Sequence, residues 1–189
     1  MARITIIPES EAKGELRAFY DQVSEKRGAV SEVLTVHSLL PETMKDHFKL
    51  YYTLMFEQRQ TGITRKQLEM LAVTVSATNK CTYCVAHHSA PLRMLLKDEA
   101  LLSALQNRDV LNLQKLLSSE DFALVLLAVK ITSQPDTTSQ EDIDNLRRHS
   151  FNDEQILHVV LVINYFNFVN RNVLALGVEL ESDYDKACK

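Results

Sequence analysis

The densest group of reactive side chains in this sequence is the segment NKCTYCVAHHSAP, which runs from Asn79 to Pro91. Two residues separate Cys81 from Cys84, and a pair of histidines follows within about one helical turn. A thiol pair at this spacing can cycle between dithiol and disulfide, or it can bind a metal ion. Because only the thiolate is nucleophilic, an imidazole that takes up the thiol proton would activate the pair.

Local sequence signals predict that this segment is helical. Asn79 is a suitable N-cap, so we expect a helix that begins at Lys80. Proline inside a helix removes one backbone hydrogen bond and clashes with the preceding turn. Pro91 is therefore expected to kink the helix or to end it near Ala90.

Helical geometry then predicts which of these side chains can cooperate. At about 100° per residue, the side chains of Cys81, Cys84 and His88 fall within about 60° of one helix face. Tyr83 and His87 are predicted to point away from that face. His88 is therefore the histidine placed to exchange a proton with Cys84.

Two other interpretations of the segment remain open. The cysteines could be buried as small apolar side chains, with both histidines at the surface. Alternatively, Cys81, Cys84 and His88 could bind zinc, although a structural zinc site needs four ligands. The remaining thiol, Cys188, is distant in sequence and is expected to be an exposed cysteine without a role.

The composition predicts a helical protein and excludes several classes of function. The chain has 189 residues, of which 46% are hydrophobic, and it contains only four glycines and four prolines. The formal net charge of −4 argues against a nucleic-acid-binding protein. The longest uninterrupted apolar run, 122–129, is too short to cross a membrane, and the segment ITII before Pro8 is too short for a signal peptide. We therefore expect a cytoplasmic protein that binds neither nucleic acid nor membrane.

Apolar periodicity and capping signals predict six to eight helices and no convincing strand. The expected class is an all-α bundle of one domain, residues 1–189, with residues 1–28 as an N-terminal helical arm. A strand near 159–163 is the alternative for part of the last helix. The length of the segment and its lack of turn residues favour a helix. The main predicted helices run from Ser10 to Lys26, from Pro41 to Gly62, from Thr64 with Gln67 in a capping box, over 120–132, from Ser139, and from Asn152 to Gly177.

Glu69 lies beside the apolar stripe of the helix that precedes the cysteine segment. One interpretation is a surface glutamate paired with Arg65 one turn earlier. The other is a buried general base, in which case desolvation is expected to raise its pKa.

The segment EMLAVTVSATNKCTYCVAHH, from Glu69 to His88, resembles the AhpD-like alkylhydroperoxidases of the carboxymuconolactone decarboxylase superfamily. The closest similarity is to the peroxidase-related group, and the segment from 151 to 178 resembles the C-terminal helix of that group. The resemblance spans about residues 30–177. It implies an AhpD-like helical bundle that assembles as a homo-oligomer, often a trimer or a hexamer.

The resemblance also implies a function and roles for four residues. The implied function is a thiol-dependent peroxidase that needs no haem, flavin or other cofactor and no metal. Cys84 would attack the hydroperoxide, Cys81 would resolve the product as a disulfide, and Glu69 and His88 would relay protons. A lipoyl-bearing or thioredoxin-like dithiol protein would reduce the pair. The best-known member of the family carries histidine where this chain has Tyr83, and members that decarboxylate a lactone lack the cysteine pair.

The choice of attacking thiol rests on two opposing arguments. The partial positive charge at the helix N-terminus favours Cys81 as the more acidic thiol. The resemblance, and the place of His88 one turn from Cys84, favour Cys84. We expect Cys81 to be the more exposed thiol and to meet the reductant. The alternatives are a disulfide oxidoreductase or redox sensor that does not use peroxide, and a structural oligomer with or without zinc.

Overall fold

The computed structural model describes residues 2–182 and 184. Within these ranges the chain forms ten α-helices and no β-strand, which confirms the predicted all-α class. The helix count exceeds the predicted six to eight because several helices have only four to nine residues, too few for a clear apolar period. The helices are α1 (Gly14–Arg27), α2 (Glu32–Thr35), α3 (Pro41–Tyr52), α4 (Arg65–Thr78), α5 (Thr82–Leu96), α6 (Glu99–Asn107), α7 (Val110–Leu116), α8 (Ser119–Ser133), α9 (Gln140–Arg148) and α10 (Asp153–Leu176).

Helix α4 forms the centre of the bundle and packs against α5, α8 and α10. Ten of its 14 residues are buried. The predicted capping box is present: the Thr64 hydroxyl accepts the Gln67 N–H, and the Gln67 side chain accepts the Thr64 N–H. The Gln67 amide and Lys66 also contact Asp121 at the start of α8. These contacts fix α4, which carries Glu69, against the core.

Helix α10 is the second central element, and it has the boundaries that its sequence signals predict. Asn152 caps its first turn, and Gly177 follows it in the left-handed conformation (φ 66°) that favours glycine. Among the described residues, α10 is the one helix long and apolar enough to cross a membrane. Half of its most apolar window is buried in this structure, as is usual for the core helix of a bundle.

The N-terminal segment differs from the prediction that Ser10 caps the first helix. The carbonyl of Pro8 accepts the N–H groups of Glu11 and Ala12, so the chain makes a turn there. Helix α1 begins only at Gly14. It packs against α3 through a separate apolar cluster that includes Phe19 and Phe48, whose rings meet edge to face.

The predicted long helix from Pro41 to Gly62 is also shorter than expected. Helix α3 ends at Tyr52, and the chain continues as a π-helical turn (Thr53–Glu57) and a 3-10 turn (Arg59–Thr61). Gly62 then adopts a left-handed conformation (φ 78°) and ends the helical segment that began at Pro41, as predicted. The wider turn presents the Met55 carbonyl to Arg65, one of the residues of the site.

The junction between α4 and α5 differs from the prediction that Asn79 caps α5. Lys80 is left-handed (φ 60°) and separates the two helices. The amide nitrogen of Asn79 instead lies 2.9 Å from the Asn167 Oδ1 and 3.0 Å from the Asn170 Oδ1, both on α10. Asn170 in turn donates to the Ser76 hydroxyl. These satisfied amides hold the α4–α5 junction against α10.

Helix α5 therefore begins one residue after Cys81, which is its N-cap. It continues through Pro91 to Leu96, so of the two predicted outcomes, a kink at Pro91 or an end near Ala90, the end near Ala90 is absent. Pro91 and Leu92 are buried, and burial of this part of the helix outweighs the hydrogen bond that proline removes.

Candidate redox site

The two cysteines of the C-x-x-C segment are joined as a disulfide, with their Cα atoms 5.4 Å apart. The side chain of Cys81 caps α5: its sulfur accepts the backbone N–H of Cys84 at 3.4 Å. The prediction that Cys81 is the more exposed thiol is wrong. Cys81 is 0% exposed and Cys84 is 4% exposed. The Cys81 N–H donates to the Ser76 carbonyl, which holds Cys81 against the last turn of α4. Cys84 is thus the thiol that lines a cavity.

The cavity next to Cys84 lies between α5, α10, α3 and the segment that joins α1 to α2. Apolar and aromatic side chains form most of its wall, and a few polar groups converge on it, which is typical of a site for a small molecule. The apolar part of the wall includes Val33, Phe48, Tyr51, Pro91, Phe166 and Val169. The polar part includes Arg27, His47, Arg65, His87, His88 and Tyr165.

Tyr83 and His87 line the same cavity, although the helical wheel predicts that they point away from the cysteines. Their rings lie 4.5 Å apart on one row of α5, adjacent to the row that holds Cys84 and His88. The cavity contacts both rows of α5, so the predicted face of about 60° was too narrow to include every side chain of the site. All four side chains therefore belong to the site.

His88 and Glu69 form a direct pair, which brings the two predicted relay residues together. The His88 Nδ1 lies 2.7 Å from the Glu69 Oε2. The other carboxylate oxygen accepts the Arg65 Nε–H at 2.8 Å, and the Arg65 guanidinium also covers the Phe56 ring at 4.0 Å. Because an ionised carboxylate only accepts hydrogen bonds, the His88 proton lies on Nδ1, and Nε2 is left to exchange a proton.

Glu69 is completely buried, but its ionisation differs from the prediction. Burial by itself would raise the pKa of Glu69. The adjacent His88 and the Arg65 guanidinium outweigh burial and hold the pKa below its ordinary value of 4.5. The carboxylate is therefore charged at neutral pH. It orients His88 rather than acting as a base with a raised pKa.

This depressed pKa predicts an acid-sensitive contribution to folding. A carboxylate whose pKa is lower in the folded state stabilises the protein above the unfolded pKa, about 4.5, and the contribution is lost as the pH falls through the folded pKa. Between pH 6 and pH 3, we expect wild type to lose more free energy of unfolding than Glu69→Gln, by at most about 2 kcal/mol, because each pH unit between the two pKa values contributes about 1.4 kcal/mol.

The measurement is denaturant unfolding at several pH values. Glu99→Gln is the matched control, because Glu99 pairs with Arg93 at the surface, where ion pairs contribute little. Its curve should parallel that of wild type. Parallel curves for Glu69→Gln and wild type would contradict the prediction.

The segment that follows α10 returns to the site and contacts α5. The Glu181 carboxylate accepts the Tyr83 hydroxyl at 2.8 Å, lies 2.9 Å from the His87 Nε2, and accepts the Glu32 backbone N–H. Burial would raise the pKa of Glu181, but His87 and the backbone N–H lower it overall. Burial and the Glu181 charge raise the pKa of Tyr83 well above its ordinary value. Tyr83 is thus a neutral hydrogen-bond donor that ties Glu181, in the segment after α10, to the cavity wall.

Sequence reasoning missed several residues of the site. His47, Arg27 and Glu181 line or close the cavity but lie far from the cysteines in sequence, and no local motif marks them. Tyr165 could be recognised only as one of several polar residues on an apolar helix. Within the described ranges no group of three or more His, Cys, Asp or Glu side chains is arranged to hold a metal ion. Cys188, predicted to be an exposed cysteine without a role, lies outside those ranges.

Comparison with known proteins shows which family and which folds this chain resembles. Residues 41–111 match the carboxymuconolactone decarboxylase family. The chain is 28% identical to an uncharacterized peroxidase-related protein from Silicibacter sp. TM1040 (TM-score 0.81), with 97% of this chain and 94% of that chain covered. A second peroxidase-related protein, from Ralstonia eutropha JMP134 and described as an alkylhydroperoxidase AhpD core, is 23% identical, with a TM-score of 0.82 and coverage of 99% and 96%.

One curated relative was also found. YdfG of Bacillus subtilis (strain 168), described as an uncharacterized protein, is 27% identical over 149 residues, 78% of this chain and 96% of its own. The fold is thus that of the AhpD-like proteins. Residues 41–111 match the carboxymuconolactone decarboxylase family, the similarity that the segment from Glu69 to His88 predicts.

Proposed function

We propose that this protein is a thiol-dependent peroxidase that reduces hydroperoxides through a Cys81–Cys84 disulfide cycle. The observation that carries the proposal is the disulfide beside the pair of His88 with the buried Glu69, with Cys84 on the wall of a largely apolar cavity. An apolar wall of this kind suits the organic part of a hydroperoxide. The AhpD-like fold and the peroxidase-related relatives support the same class of reaction.

The proposed oxidation takes place in two balanced steps. The Cys84 thiolate attacks the terminal oxygen of ROOH, which breaks the O–O bond, forms a sulfenic acid and releases RO⁻. The alkoxide takes up a proton and leaves as ROH. The Cys81 thiolate then attacks the Cys84 sulfur, forms the disulfide, and releases the sulfenic oxygen, which leaves as water after protonation. His88 is the group that exchanges these protons, because Glu69 fixes it with Nε2 available.

The position of Cys81 suits the resolving and leaving roles. Its sulfur accepts an N–H at the start of α5, where the helix dipole stabilises negative charge. A thiolate stabilised in this way leaves readily when a reductant attacks Cys84. Because Cys84 is the thiol on the cavity, the reductant is expected to meet Cys84 and not Cys81. We propose a lipoyl-bearing or thioredoxin-like dithiol protein as the reductant and the cytoplasm as the location.

We also propose that the protein assembles as a trimer or hexamer. The support is a row of three exposed apolar side chains on α10, Leu157, Leu161 and Phe168, which are 45–58% exposed. An apolar row on a long helix is typical of an interface between subunits. A monomeric mass in sedimentation equilibrium would contradict this proposal.

A single-turnover experiment tests the proposed function. Reduced protein is mixed with one equivalent of cumene hydroperoxide, and free thiols and cumyl alcohol are measured. We expect two thiols lost for each alcohol formed. Cys188→Ser is the matched control, because it should give the same stoichiometry if Cys81 and Cys84 are the reacting pair. If peroxide leaves the thiols intact while an oxidised dithiol converts them rapidly to the disulfide, the protein is a disulfide oxidoreductase of another kind.

A further inference from the structure

A second set of polar groups, which shares no hydrogen bond with the His88–Glu69 pair, meets the same cavity. The Tyr165 hydroxyl on α10 lies 2.8 Å from the His47 Nε2 on α3. The His47 Nδ1 lies 3.1 Å from the His37 Nε2, and the His37 Nδ1 lies 3.1 Å from the Thr43 hydroxyl. Tyr165 and His47 line the cavity, and His37 is partly exposed. The row therefore connects the cavity to solvent through groups that can each pass a proton.

The direction of these hydrogen bonds follows from the Thr43 hydroxyl, the group farthest from the cavity. The Thr43 hydroxyl has one proton, which it donates to the Leu40 carbonyl at 2.8 Å, so its oxygen accepts the His37 Nδ1–H. Neutral His37 then has an acceptor at Nε2, and His47 must donate from Nδ1. The His47 Nε2 is consequently an acceptor for the Tyr165 hydroxyl. Every bond in the row points from the cavity toward solvent.

Burial keeps the inner members of this row neutral. It lowers the pKa of His47 to about 3, with the neighbouring His37 adding to the effect. Burial also raises the pKa of Tyr165 well above its ordinary value and lowers the pKa of His37. Neither Tyr165 nor His47 can store a charge at neutral pH. A proton that enters the row at Tyr165 must therefore pass on to His37 and the solvent.

We propose that Tyr165, His47 and His37 form a proton path that deprotonates the dithiol reductant when it enters the cavity. The Tyr165 oxygen accepts the thiol proton while its own proton passes to His47 and outward. The resulting R–S⁻ attacks the Cys84 sulfur, and the Cys81–Cys84 bond breaks with Cys81 leaving as a thiolate. The second thiol of the reductant, once deprotonated, attacks the mixed disulfide, forms the reductant's own disulfide and releases the Cys84 thiolate.

This assignment gives the two proton systems different tasks. The Nδ1–H of His88 is held by Glu69, and His88 lies one helical turn from Cys84, so it serves the cysteines. Tyr165 is on another helix and has its own connection to solvent. The proposal rests on the disulfide cycle of the proposed function, but it does not depend on a hydroperoxide being the oxidant.

The test is the rate at which dithiothreitol reduces the purified disulfide form, followed by titration of the protein thiols after acid quenching. At pH 6.5 roughly one ordinary thiol in 100 is ionised, so loss of the path in Tyr165→Phe is expected to slow reduction by up to about 100-fold. Above pH 9 most of the reagent is already thiolate, and the variant should come within about twofold of wild type. Tyr52→Phe, a change of the same type outside the cavity, should match wild type at both pH values.

The comparison uses the ratio of variant to wild type because other ionisable groups face the same cavity and titrate in both proteins. These are Arg27, Tyr51, Arg65, Tyr83, His87 and His88, with Glu69 behind His88. A ratio that is the same at pH 6.5 and above pH 9 would show that Tyr165 is only structural. An unchanged rate at pH 6.5 would also overturn the proposal.

A second variant covers the case in which Tyr165→Phe does not fold. His37→Ala removes the partly exposed end of the path and should slow reduction at pH 6.5 by about tenfold or more. Added imidazole should restore the rate, since it can accept the proton from His47. A slowed rate without rescue would contradict the path. Neither result depends on peroxide turnover, so failure here is distinguishable from failure of the proposed peroxidase activity.

Discussion

Replacing Cys84 with serine is expected to reduce hydroperoxide turnover by about 10³-fold or more, because loss of a covalent nucleophile removes the step on which the others depend. Cys84 lines the cavity, whereas Cys81 is completely buried. A serine hydroxyl cannot reach the ionised state that attacks an O–O bond at neutral pH. The measurement is peroxide consumption with excess dithiol reductant.

Cys81→Ser provides the matched comparison and decides which thiol attacks. In this variant Cys84 should still reduce one equivalent of hydroperoxide and then remain as a sulfenic acid, which dimedone traps and mass spectrometry detects. Turnover should stop after that equivalent because no disulfide can form. If dimedone labels Cys81 in Cys84→Ser and leaves Cys84 unlabelled in Cys81→Ser, the proposed roles are reversed.

The sequence predicted the fold well where signals are local. The capping box at Thr64, the stop at Gly177 and the apolar period of α10 each depend on residues within a few positions of one another. The start of α5 was predicted wrongly because Asn79 satisfies its amide on α10, 88 residues or more away in sequence. A side chain that is a good N-cap by type is equally suited to a buried amide network, and only packing decides between them.

The difference between local signals and long-range packing also explains which parts of the site the sequence predicted. The C-x-x-C-x-x-x-H spacing and Glu69 lie on two consecutive helices, so the His88–Glu69 contact could be anticipated from the resemblance to a known family. The ionisation of Glu69 could not, because its pKa depends on burial acting against Arg65 and His88 together. His47 reaches the cavity only because α3 packs beside α10, and no spacing in the sequence encodes that contact.

Replacing Glu69 with glutamine is expected to slow peroxide turnover by about 10²-fold or more, within the range that general acid–base catalysis contributes. The carboxylate holds the His88 proton on Nδ1. A glutamine amide can instead donate to Nδ1, which moves the ring proton to Nε2 and removes the acceptor that the Cys84 thiol needs. The variant should therefore also show a higher apparent pKa for Cys84, measured as the pH dependence of its alkylation in the reduced protein.

Arg65→Gln separates the orientation of His88 from the integrity of the buried cluster. Arg65 contacts the other oxygen of Glu69, so its loss leaves the carboxylate in contact with His88. Removing the guanidinium also removes a positive charge that stabilises the Glu69 carboxylate, which costs folding free energy. We therefore expect Arg65→Gln to lower the unfolding temperature but to slow turnover by less than about tenfold, well below the effect of Glu69→Gln. Equal losses of turnover in the two variants would mean that the three residues only stabilise the fold, and that the thiol proton leaves by another route.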